Sequence, residues 1–353
     1  AGNCRVCVVE EKGKKRLTAS CATPAYEGME ILTHSAKVQT ARKHIVELLL
    51  SDHAEECTKC FKNGNCELQN LASKYAVGES LFMDLWEGKE YKVDDSSSAI
   101  QFDPSKCVKC QRCVRTCSEI QGVNALTVGK KGKDMHITTF MGLPLNNVPC
   151  TNCGQCVTHC PTGALTERRY YDEIWEAIGD ESKHVIVNTA PSVRVALGEM
   201  LGYPVGTRVT GKMAAALKLI GADSVLDTDF SADLTIIEEG NELLQRLKKA
   251  LVDKEEVSLP MITSCSPGWI KFAEHMFPNQ LDHLSTCKSP QQMFGALAKT
   301  YYAEKMNLEP KDIVSVSIMP CSAKKFEANR PEMRSSGYKD IDAGLTTREL
   351  EHM

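Results

Sequence analysis

Two runs of closely spaced cysteines constrain this chain more than any other feature. Residues 107–117 read CVKCQRCVRTC and residues 150–161 read CTNCGQCVTHCP, so both follow the spacing C-x2-C-x2-C-x3-C. Fourteen of the 17 cysteines fall within the first 160 residues, and most are two residues apart. Disulfide-rich chains are usually small and secreted, whereas C-x2-C spacing presents thiolates to one metal centre. The pattern therefore predicts metal clusters and a reducing compartment, which favours the cytoplasm.

The two runs have the spacing of bacterial ferredoxins, in which the fourth cysteine of each run binds the cluster of the other run. Structural zinc needs only four ligands from separate C-x2-C pairs, so eight cysteines in two long runs favour iron–sulfur clusters. The spacing predicts two 4Fe-4S clusters with the ligand sets Cys107, Cys110, Cys113 and Cys160, and Cys117, Cys150, Cys153 and Cys156.

A third site precedes these runs. The segment DHAEECTKCFKNGNC contains His53, Cys57, Cys60 and Cys66 with the spacing H-x3-C-x2-C-x5-C. Three cysteines and one histidine also suit structural zinc, and the spacing alone leaves that alternative open. The position of the site among other cluster sites favours a 4Fe-4S cluster. An imidazole ligand removes negative charge from a cluster and is expected to raise its reduction potential.

Three cysteines near the start of the chain resemble the plant-type 2Fe-2S pattern. Cys4 and Cys7 form a C-x2-C pair, and Cys21 follows after the segments CVVE and RLTASC. These alternating segments, joined by EKGKKR, predict a β-hairpin. The pattern needs a fourth ligand before residue 1, so we expect the sequence to enter this domain midway.

The cysteine-poor remainder of the chain alternates predicted strands with predicted helices. HVIVNTA, SVLDTDF, LPMITSC and IVSVSIMPC are typical of buried strands. The alternation predicts a mostly parallel sheet with helices on both faces. Chemistry in such sheets collects beyond the carboxyl ends of strands, which places Ala190, Pro191, Cys265 and Cys321 in a candidate site.

These side chains, and charged residues near them in the predicted site, could also have no role in catalysis. Free cysteines often behave as small buried hydrophobes, charged pairs on helices often form solvated faces, and most lysines are at surfaces. These alternatives apply to Cys265, Cys287, Cys321, Glu239, Glu242, Lys324 and Lys325. For Cys287 we keep the buried-thiol interpretation.

Several segments resemble the iron-only (FeFe) hydrogenases. TSCSPGW at 263–269 and MPCSAKKFEA at 319–328 are similar to the first two of the three signature motifs of that family and occur in the same order. APSVR, DLTIIEEGNEL and LSTCKSPQQMFG are similar to segments around the family's active site. The resemblance is strongest to catalytic subunits of multimeric, NAD(P)-linked hydrogenases, a type that includes electron-bifurcating enzymes. The cysteine-rich half also resembles the large iron–sulfur subunit of NADH:quinone oxidoreductases.

The resemblance implies an H-cluster, a 4Fe-4S cubane joined through a cysteine sulfur to a two-iron unit carrying CO, cyanide and an aza-dithiolate. By this resemblance Cys321 is a cubane ligand, and Lys324 donates a hydrogen bond to a cyanide, which suits an ammonium facing an anion. Cys265 is the thiol that hands protons to the bridging amine. The resemblance further implies a pocket around the two-iron unit, formed by Ala190, Pro191, Ser192 and Met319. It also implies a proton relay to solvent, formed by Glu239, Ser285 and Glu242, with Arg246 nearby.

Two features depart from the family pattern. Ser266 stands where the family has a second cysteine that binds the cubane, and a serine oxygen is a poorer ligand for iron–sulfur than a thiolate. Either related subunits tolerate serine, or Cys265 is the ligand, or the cubane is compromised. The third signature motif, with two further cysteines, does not occur before Met353. We therefore expect the sequence to cover part of a longer protein, incomplete at both ends.

The predicted fold class is multidomain, α+β and α/β, with ferredoxin-like iron–sulfur domains followed by an incomplete α/β domain of the FeFe-hydrogenase type. The predicted domains are a partial plant-type 2Fe-2S domain at 1–35, a His/Cys3 4Fe-4S domain at 36–95, a 2x(4Fe-4S) bacterial ferredoxin-like domain at 96–168, and the N-terminal part of the H-cluster domain at 169–353.

The expected function is reversible H2 oxidation and proton reduction, with electrons passed along the clusters. We expect a flavoprotein NAD(P)-binding subunit, a small 2Fe-2S subunit and ferredoxin as partners, since the chain has no dinucleotide-binding or P-loop motif. The net charge of −4 and the lack of a long apolar run argue against nucleic acid and a membrane span. One alternative is a hydrogenase-like electron-transfer or scaffold subunit that lacks H2 chemistry. Another is the iron–sulfur subunit of an NADH:quinone oxidoreductase-type complex, which leaves the signature-like motifs unexplained.

Overall fold

A computed structural model of the protein describes residues 2–78, 82 and 91–353. Contacts within the chain divide it into two compact units, Ala1–Cys150 with Gln155–Thr166, and Thr151–Gly154 with Glu167–Met353. The end of the predicted His/Cys3 domain, residues 79–81 and 83–90, lies outside the described residues. Of the helices in the described ranges, none is long and apolar enough to cross a membrane.

The first unit consists of short strands and helices separated by the cysteine-rich loops. Its strands are β1 (Val8–Glu11), β2 (Thr18–Ala19), β3 (Ile31–Leu32), β4 (Ile100–Phe102), β5 (Thr127–Gly129), β6 (His136–Thr138) and β7 (Leu165–Glu167). Its helices are α1 (Ala36–Leu50), α2 (Glu67–Lys74), α3 (Arg112–Arg115) and α4 (Gln155–His159). Strand β4 pairs with β7, and β5 pairs with β6.

The hairpin predicted at the start of the chain is present. Strands β1 and β2 are antiparallel, with Val8 opposite Ala19, and β3 pairs with the other edge of β1. The Arg42 guanidinium of α1 donates to the Val8 carbonyl at 2.8 Å, which ties the helix to the hairpin. The hairpin therefore holds Cys7 and Cys21 at neighbouring ends of paired strands.

The second unit is a four-stranded parallel sheet with helices on both faces, as the sequence predicts. Its strands are β8 (His184–Thr189), β9 (Ser224–Asp227), β10 (Ile313–Ile318) and β11 (Ala343–Leu345), in the order β11–β10–β8–β9. Its helices are α5 (Tyr171–Gly179), α6 (Val193–Met200), α7 (Thr210–Ile220), α8 (Asp229–Lys248), α9 (Pro267–Met276), α10 (Pro290–Leu297), α11 (Ala303–Met306), α12 (Ala323–Ala328) and α13 (Thr347–His352).

Successive side chains of each strand point to opposite faces of the sheet, which divides the core of this unit into two layers. Val185 and Val187 point to one layer, in which the side chains of α6 and α7 are buried, whereas Ile186 points to the other and packs against Phe294 of α10. Strands β8 and β10 end level with each other, because Thr189 is opposite Ile318. The segments that follow these two strands therefore begin at the same edge of the sheet.

One predicted strand is wrong. The segment LPMITSC does not join the sheet, and its only strand-like contact among the described residues is an isolated bridge between Ile262 and Leu284. Pro260 has no N–H to donate to a sheet, and Ile262 is exposed rather than buried between helical layers. Cys265 therefore precedes helix α9 without following a strand. The fourth strand is instead β11, whose three residues are too few for a periodic pattern.

Candidate functional site: thiol clusters and a carboxylate relay

The structure brings together the four cysteines predicted for the first ferredoxin-type cluster. The thiol of Cys113 interacts electrostatically with those of Cys107, Cys160 and Cys110. Burial raises the pKa of Cys107 to about 12 and also raises the pKa of Cys113. Four thiolates in one largely buried site need a cationic metal centre to balance their charge. The chemistry of this donor set therefore fits an iron–sulfur cluster.

The loop around these cysteines is shaped to hold a negatively charged group. Lys109 and Gln111 have φ values of 53° and 64°, which non-glycine residues seldom adopt. This conformation turns the Lys109 N–H towards the Cys107 sulfur, at 3.4 Å. Backbone N–H groups gathered in this way stabilise anions, which also suits a cluster bound by thiolates.

The second ferredoxin-type set is divided between the two units. Cys153 belongs to the segment Thr151–Gly154 of the second unit, whereas Cys117, Cys150 and Cys156 belong to the first. Within the first unit the Ala125 N–H donates to the Cys117 sulfur at 3.3 Å. The assignment of these four cysteines to one cluster stays a prediction.

The His53 site is partly assembled. The thiol of Cys57 interacts electrostatically with the thiols of Cys60 and Cys66. The His53 side chain is largely buried, and its Nδ1 has no hydrogen-bond partner in the described part of the chain. Burial lowers the pKa of His53, so the imidazole is neutral and able to bind a metal. The charged groups that act on it are Lys106, Asp103 and Asp52. An orphaned, buried imidazole nitrogen fits a fourth cluster ligand.

The segment after Cys160 packs directly on this site. The Glu67 N–H donates to the Pro161 carbonyl at 3.0 Å, and the Cys66 sulfur lies 3.7 Å from the same oxygen. A Cβ atom on Gly163 would lie only 2.6 Å from the Cys60 sulfur, so this position requires glycine. The Cys57–Cys66 site and the Cys160 loop are therefore in contact, as an electron path between two clusters needs.

The N-terminal thiols also lie beside the first ferredoxin-type set. The sulfurs of Cys7 and Cys21 are 3.2 Å apart, and Cys4 interacts electrostatically with Cys110. In the part of the chain that the structure describes, no cysteine takes part in a disulfide bond. Among the described residues, no group of three or more His, Cys, Asp or Glu side chains is arranged around a single ion position.

In the second unit, the predicted pocket residues lie at the ends of β8 and β10. The Ala190 N–H donates to the Ile318 carbonyl at 3.0 Å, and the Met319 N–H donates to the Leu345 carbonyl at 2.8 Å. Ala190 and Met319 are buried, whereas Pro191 and Ser192 are exposed. Cys321 follows two residues after Met319 and is partly buried.

Lys324 joins the two signature-like motifs. Its ammonium donates to the Cys265 carbonyl at 2.8 Å and to Glu327 Oε2 at 3.0 Å. Glu327 is buried and also accepts from Ser289 and Gln291, at 2.8 and 3.0 Å. The surface-lysine alternative is therefore wrong for Lys324, whose side chain is 14% exposed. It is also wrong for the fully buried Lys325.

Glu327 was missed in the sequence, although its spacing gave a signal. It stands three residues after Lys324, which places the two side chains on the same face of helix α12. Ser289 and Gln291 gave no such local signal, because they reach Glu327 from helix α10 and its N-cap.

Glu242 is the centre of the predicted proton relay. Its carboxylate accepts from the Ser285 hydroxyl at 2.8 Å and from the Arg246 guanidinium at 2.7 Å. The Thr286 N–H donates to it at 3.0 Å. Burial alone would raise the pKa of Glu242, but these hydrogen bonds and the Arg246 charge outweigh burial and lower it. The solvated-face alternative is wrong for Glu242, whose side chain is 14% exposed.

Cys287 lies in this network, which the buried-thiol interpretation did not anticipate. Its sulfur is 3.6 Å from Glu242 Oε2, and its N–H donates to the Ser285 hydroxyl at 3.2 Å. Arg246 fixes the same loop to α8 by donating to the Leu284 carbonyl at 2.8 Å.

The inner part of the predicted relay is less closely connected. Glu239 has a buried carboxylate oxygen without a hydrogen-bond partner among the described residues. Cys265 is exposed, and Ser266 caps helix α9 without a side-chain hydrogen bond to its backbone. The structure therefore joins Ser285, Glu242 and Arg246, while the links through Glu239 to Cys265 stay a prediction.

Comparison with known proteins matches both halves of the chain. Residues 183–353 match the family described as iron only hydrogenase large subunit, C-terminal domain. Residues 1–36 match a 2Fe-2S iron-sulfur cluster binding domain, residues 42–80 the NADH-ubiquinone oxidoreductase-G iron-sulfur binding region, and residues 97–166 the ferredoxin-like domain of NADH-quinone oxidoreductase subunit 3. The NADP-reducing hydrogenase subunit HndD of Solidesulfovibrio fructosivorans is 51% identical over 99% of this chain and 60% of its own length.

Residues 183–353 belong to the iron-only hydrogenase large-subunit family. Iron hydrogenase 1 of Clostridium pasteurianum is 40% identical over 99% of this chain and 60% of its own length. The periplasmic [Fe] hydrogenase large subunit of Nitratidesulfovibrio vulgaris is 46% identical over 73% of this chain and 58% of its own length. The chain thus spans about 60% of the length of these relatives.

These findings confirm the predicted family, the predicted fold class and the presence of 2Fe-2S and 4Fe-4S domains before a hydrogenase-type domain. The number of clusters, the domain boundaries and the roles of individual residues stay predictions. For the H-cluster, Cys321 fits a thiolate ligand and Lys324 fits the partner of an anionic ligand. Ser266 does not fit a thiolate ligand. Residues 183–353 contain only three cysteines, Cys265, Cys287 and Cys321.

Proposed function

We propose that this chain is the catalytic and electron-transfer subunit of an iron-only hydrogenase, which interconverts H2 with two protons and two electrons. One observation carries the proposal. Identity to HndD, a subunit of an NADP-reducing hydrogenase, extends over 99% of this chain and so includes the cluster-binding half as well as the hydrogenase-type half. A protein that shared only the electron-transfer function with HndD would need only the cluster-binding half.

Protons would move through the side chains of the second unit. When bound, the H-cluster supplies the iron site at which H2 is split or formed. Cys265 would exchange protons at that site, and Lys324, already bonded to the Cys265 carbonyl, would present its ammonium there. Ser285 and Glu242 form the hydrogen-bonded outer part of the relay, with Arg246 holding the Glu242 carboxylate in place. Glu239, which has one buried carboxylate oxygen without a hydrogen-bond partner in the described part of the chain, would connect Cys265 to Ser285.

Electrons would move through the thiol clusters of the first unit. The electrostatic interaction of Cys4 with Cys110, and the 3.7 Å distance from the Cys66 sulfur to the Pro161 carbonyl, support an electron path through three of the predicted cluster sites. The electron acceptor would be a flavoprotein subunit that binds NAD(P), with a small 2Fe-2S subunit and ferredoxin as further carriers. This assembly would operate in the cytoplasm.

Infrared and kinetic measurements on the protein in its natural, cofactor-loaded form test the proposal. We expect absorption bands from CO and cyanide, H2-dependent reduction of viologen dye, and NAD(P) reduction only when a flavoprotein subunit is added. A preparation that contains its iron–sulfur clusters, but shows neither those bands nor dye reduction, would contradict the proposal.

Ser266 favours one second candidate, an electron-transfer or scaffold subunit without H2 chemistry. A hydroxyl in place of a cubane thiolate weakens iron binding at the position where the family needs a ligand. The same infrared measurement separates the two functions. If Ser266→Cys creates CO and cyanide bands that the unmodified protein lacks, the second candidate is correct.

A further inference from the structure

Cys287 shares a carboxylate oxygen with the proton relay. Glu242 Oε2 accepts from the Ser285 hydroxyl at 2.8 Å and lies 3.6 Å from the Cys287 sulfur. Two side chains with exchangeable protons therefore meet at one oxygen. Ser285 is the inner of the two in the proposed relay, which leaves Cys287 in position to continue the relay beyond Glu242.

The surroundings of Cys287 keep its thiol protonated. Burial is the main cause of its raised pKa, and the carboxylates of Glu242 and Glu239 add to it, although the hydrogen bond with Ser285 opposes the shift. A protonated thiol can accept a proton on a sulfur lone pair while it releases its own, as a hydroxyl does. The charged groups that face this region are Glu239, Glu242, Arg246, Lys288, Glu327, Arg330 and Glu332.

Cys287 also lines a cavity of 270 Å³ in the second unit. Hydroxyl-bearing side chains form part of its wall, namely Ser264, Ser285, Thr286 and Ser289. Glu242 is not among the described residues that line it. Most of the cavity wall is apolar, but these hydroxyls can bond water, and its volume has room for several waters at about 30 Å³ each. Cys287 is thus placed between a carboxylate and a space that water can enter.

Building on the proposed hydrogenase function, we propose that Cys287 is the outermost member of the proton relay and transfers protons between Glu242 and water in this cavity. In the outward step, the proton of the Glu242 carboxyl moves to the Cys287 sulfur, and the sulfur releases its original proton to a cavity water. The products are the Glu242 carboxylate, a neutral Cys287 thiol and hydronium. The step needs no oxidant or reductant, and Arg246 stabilises the carboxylate that remains.

Turnover of three variants tests the transfer in the cofactor-loaded protein. Cys287→Ala should lower H2 turnover at least about tenfold and increase the solvent deuterium isotope effect, because proton delivery becomes limiting. Cys287→Ser keeps an exchangeable proton and should restore turnover to within about threefold of the unmodified protein. Met333→Leu, which changes an apolar part of the cavity wall, is the matched control and should leave turnover and the isotope effect unchanged.

The turnover results separate this inference from the proposed function. Equal turnover and isotope effect in Cys287→Ala and the unmodified protein would overturn the inference and leave the hydrogenase function standing. Absence of turnover in the unmodified protein would overturn both. Failure of Cys287→Ser to recover turnover would show that Cys287 acts through its shape, which also overturns the inference.

Thiol alkylation gives a second test that does not depend on turnover or on Cys287→Ala folding. Iodoacetamide should modify Cys287 slowly at neutral pH, and Glu242→Gln should accelerate this modification several-fold because it removes a carboxylate beside the thiol. Mass spectrometry of the peptide that contains Cys287 measures the rate, and cysteines bound to clusters stay protected. An identical pH profile of alkylation in Glu242→Gln would refute the contact between Cys287 and Glu242, and with it the inference.

Discussion

The ion pair of Lys325 and Glu349 is buried deeply enough for its loss to be measured. The Lys325 ammonium lies 2.5 Å from Glu349 and 2.6 Å from the Arg168 carbonyl, and the two side chains are 1% and 0% exposed. Glu349 also accepts the Thr346 N–H at 2.7 Å in a capping box at the start of helix α13. The pair therefore fastens α12, which carries Lys324, to the helix at the end of the chain.

Lys325→Met leaves the Glu349 carboxylate buried without its cation. Removing one partner of a buried ion pair costs about 3–5 kcal/mol, and each 1.4 kcal/mol is tenfold in an equilibrium constant. We therefore expect hydrogen exchange of α13 amides to accelerate by about two to four orders of magnitude. Mass spectrometry of the peptide that covers residues 343–353 measures this rate in the whole protein.

The pH dependence of the variant has a definite sign. Burial raises the pKa of Glu349, and the variant lacks Lys325, the cation that opposes that shift. The folded variant then binds a proton more tightly than the unfolded chain does, so stability is regained as the pH falls. The accelerated exchange of Lys325→Met, after correction for intrinsic rates, should therefore diminish towards acidic pH.

Two further variants control the interpretation. Lys325→Met with Glu349→Gln removes both charges and keeps an acceptor for Thr346, so most of the lost protection should return. Lys183→Met breaks a half-exposed pair with Asp312 and should change local protection by about fivefold or less, because such pairs contribute at most about 1 kcal/mol. A change below tenfold in Lys325→Met, or no recovery in the double variant, would refute this reasoning.

Two other changes probe the electron and proton paths. His53→Cys adds a thiolate to its cluster and should lower the reduction potential of that cluster. EPR during a redox titration measures the potential. An unchanged potential would mean that residue 53 is not a ligand. Ser285→Ala removes the hydroxyl that donates to Glu242 and should lower H2 turnover about 100-fold with unchanged iron content. Thr286→Ala keeps the backbone N–H that Glu242 accepts and is its control; a similar loss in both variants would contradict a relay through Ser285.

Local patterns in the sequence are enough to predict cysteine sets in the first unit. The spacing of Cys107, Cys110 and Cys113 is set within one loop, so it can be read directly from the chain. The inclusion of Cys160 depends on the crossing of ligands between the two runs, and in the structure Cys160 interacts electrostatically with Cys113 of the other run. His53 is less certain from spacing, because its contacts with Lys106 and Asp103 come from a distant segment.

The second unit shows where sequence patterns fail. The segment LPMITSC has the composition of a buried strand, but burial depends on neighbours, and Ile262 is 37% exposed. Cys287 and Glu242 are 45 residues apart in the chain. They meet because the loop before Cys287 is bonded to α8 through Arg246 and through Glu242 itself. No periodic pattern encodes such a contact, since it arises from packing between a loop and a distant helix.

The close approach of Gly163 to the Cys60 sulfur has a consequence for how the protein is matured. The segment that follows one predicted ligand, Cys160, is also part of the wall of the neighbouring site, so a change of shape in one pocket affects the other. Because metal binding and folding are coupled in such small sites, iron delivery to one pocket favours delivery to the next. We therefore expect cluster loading in this half of the chain to be cooperative, with partly loaded protein as a minor species.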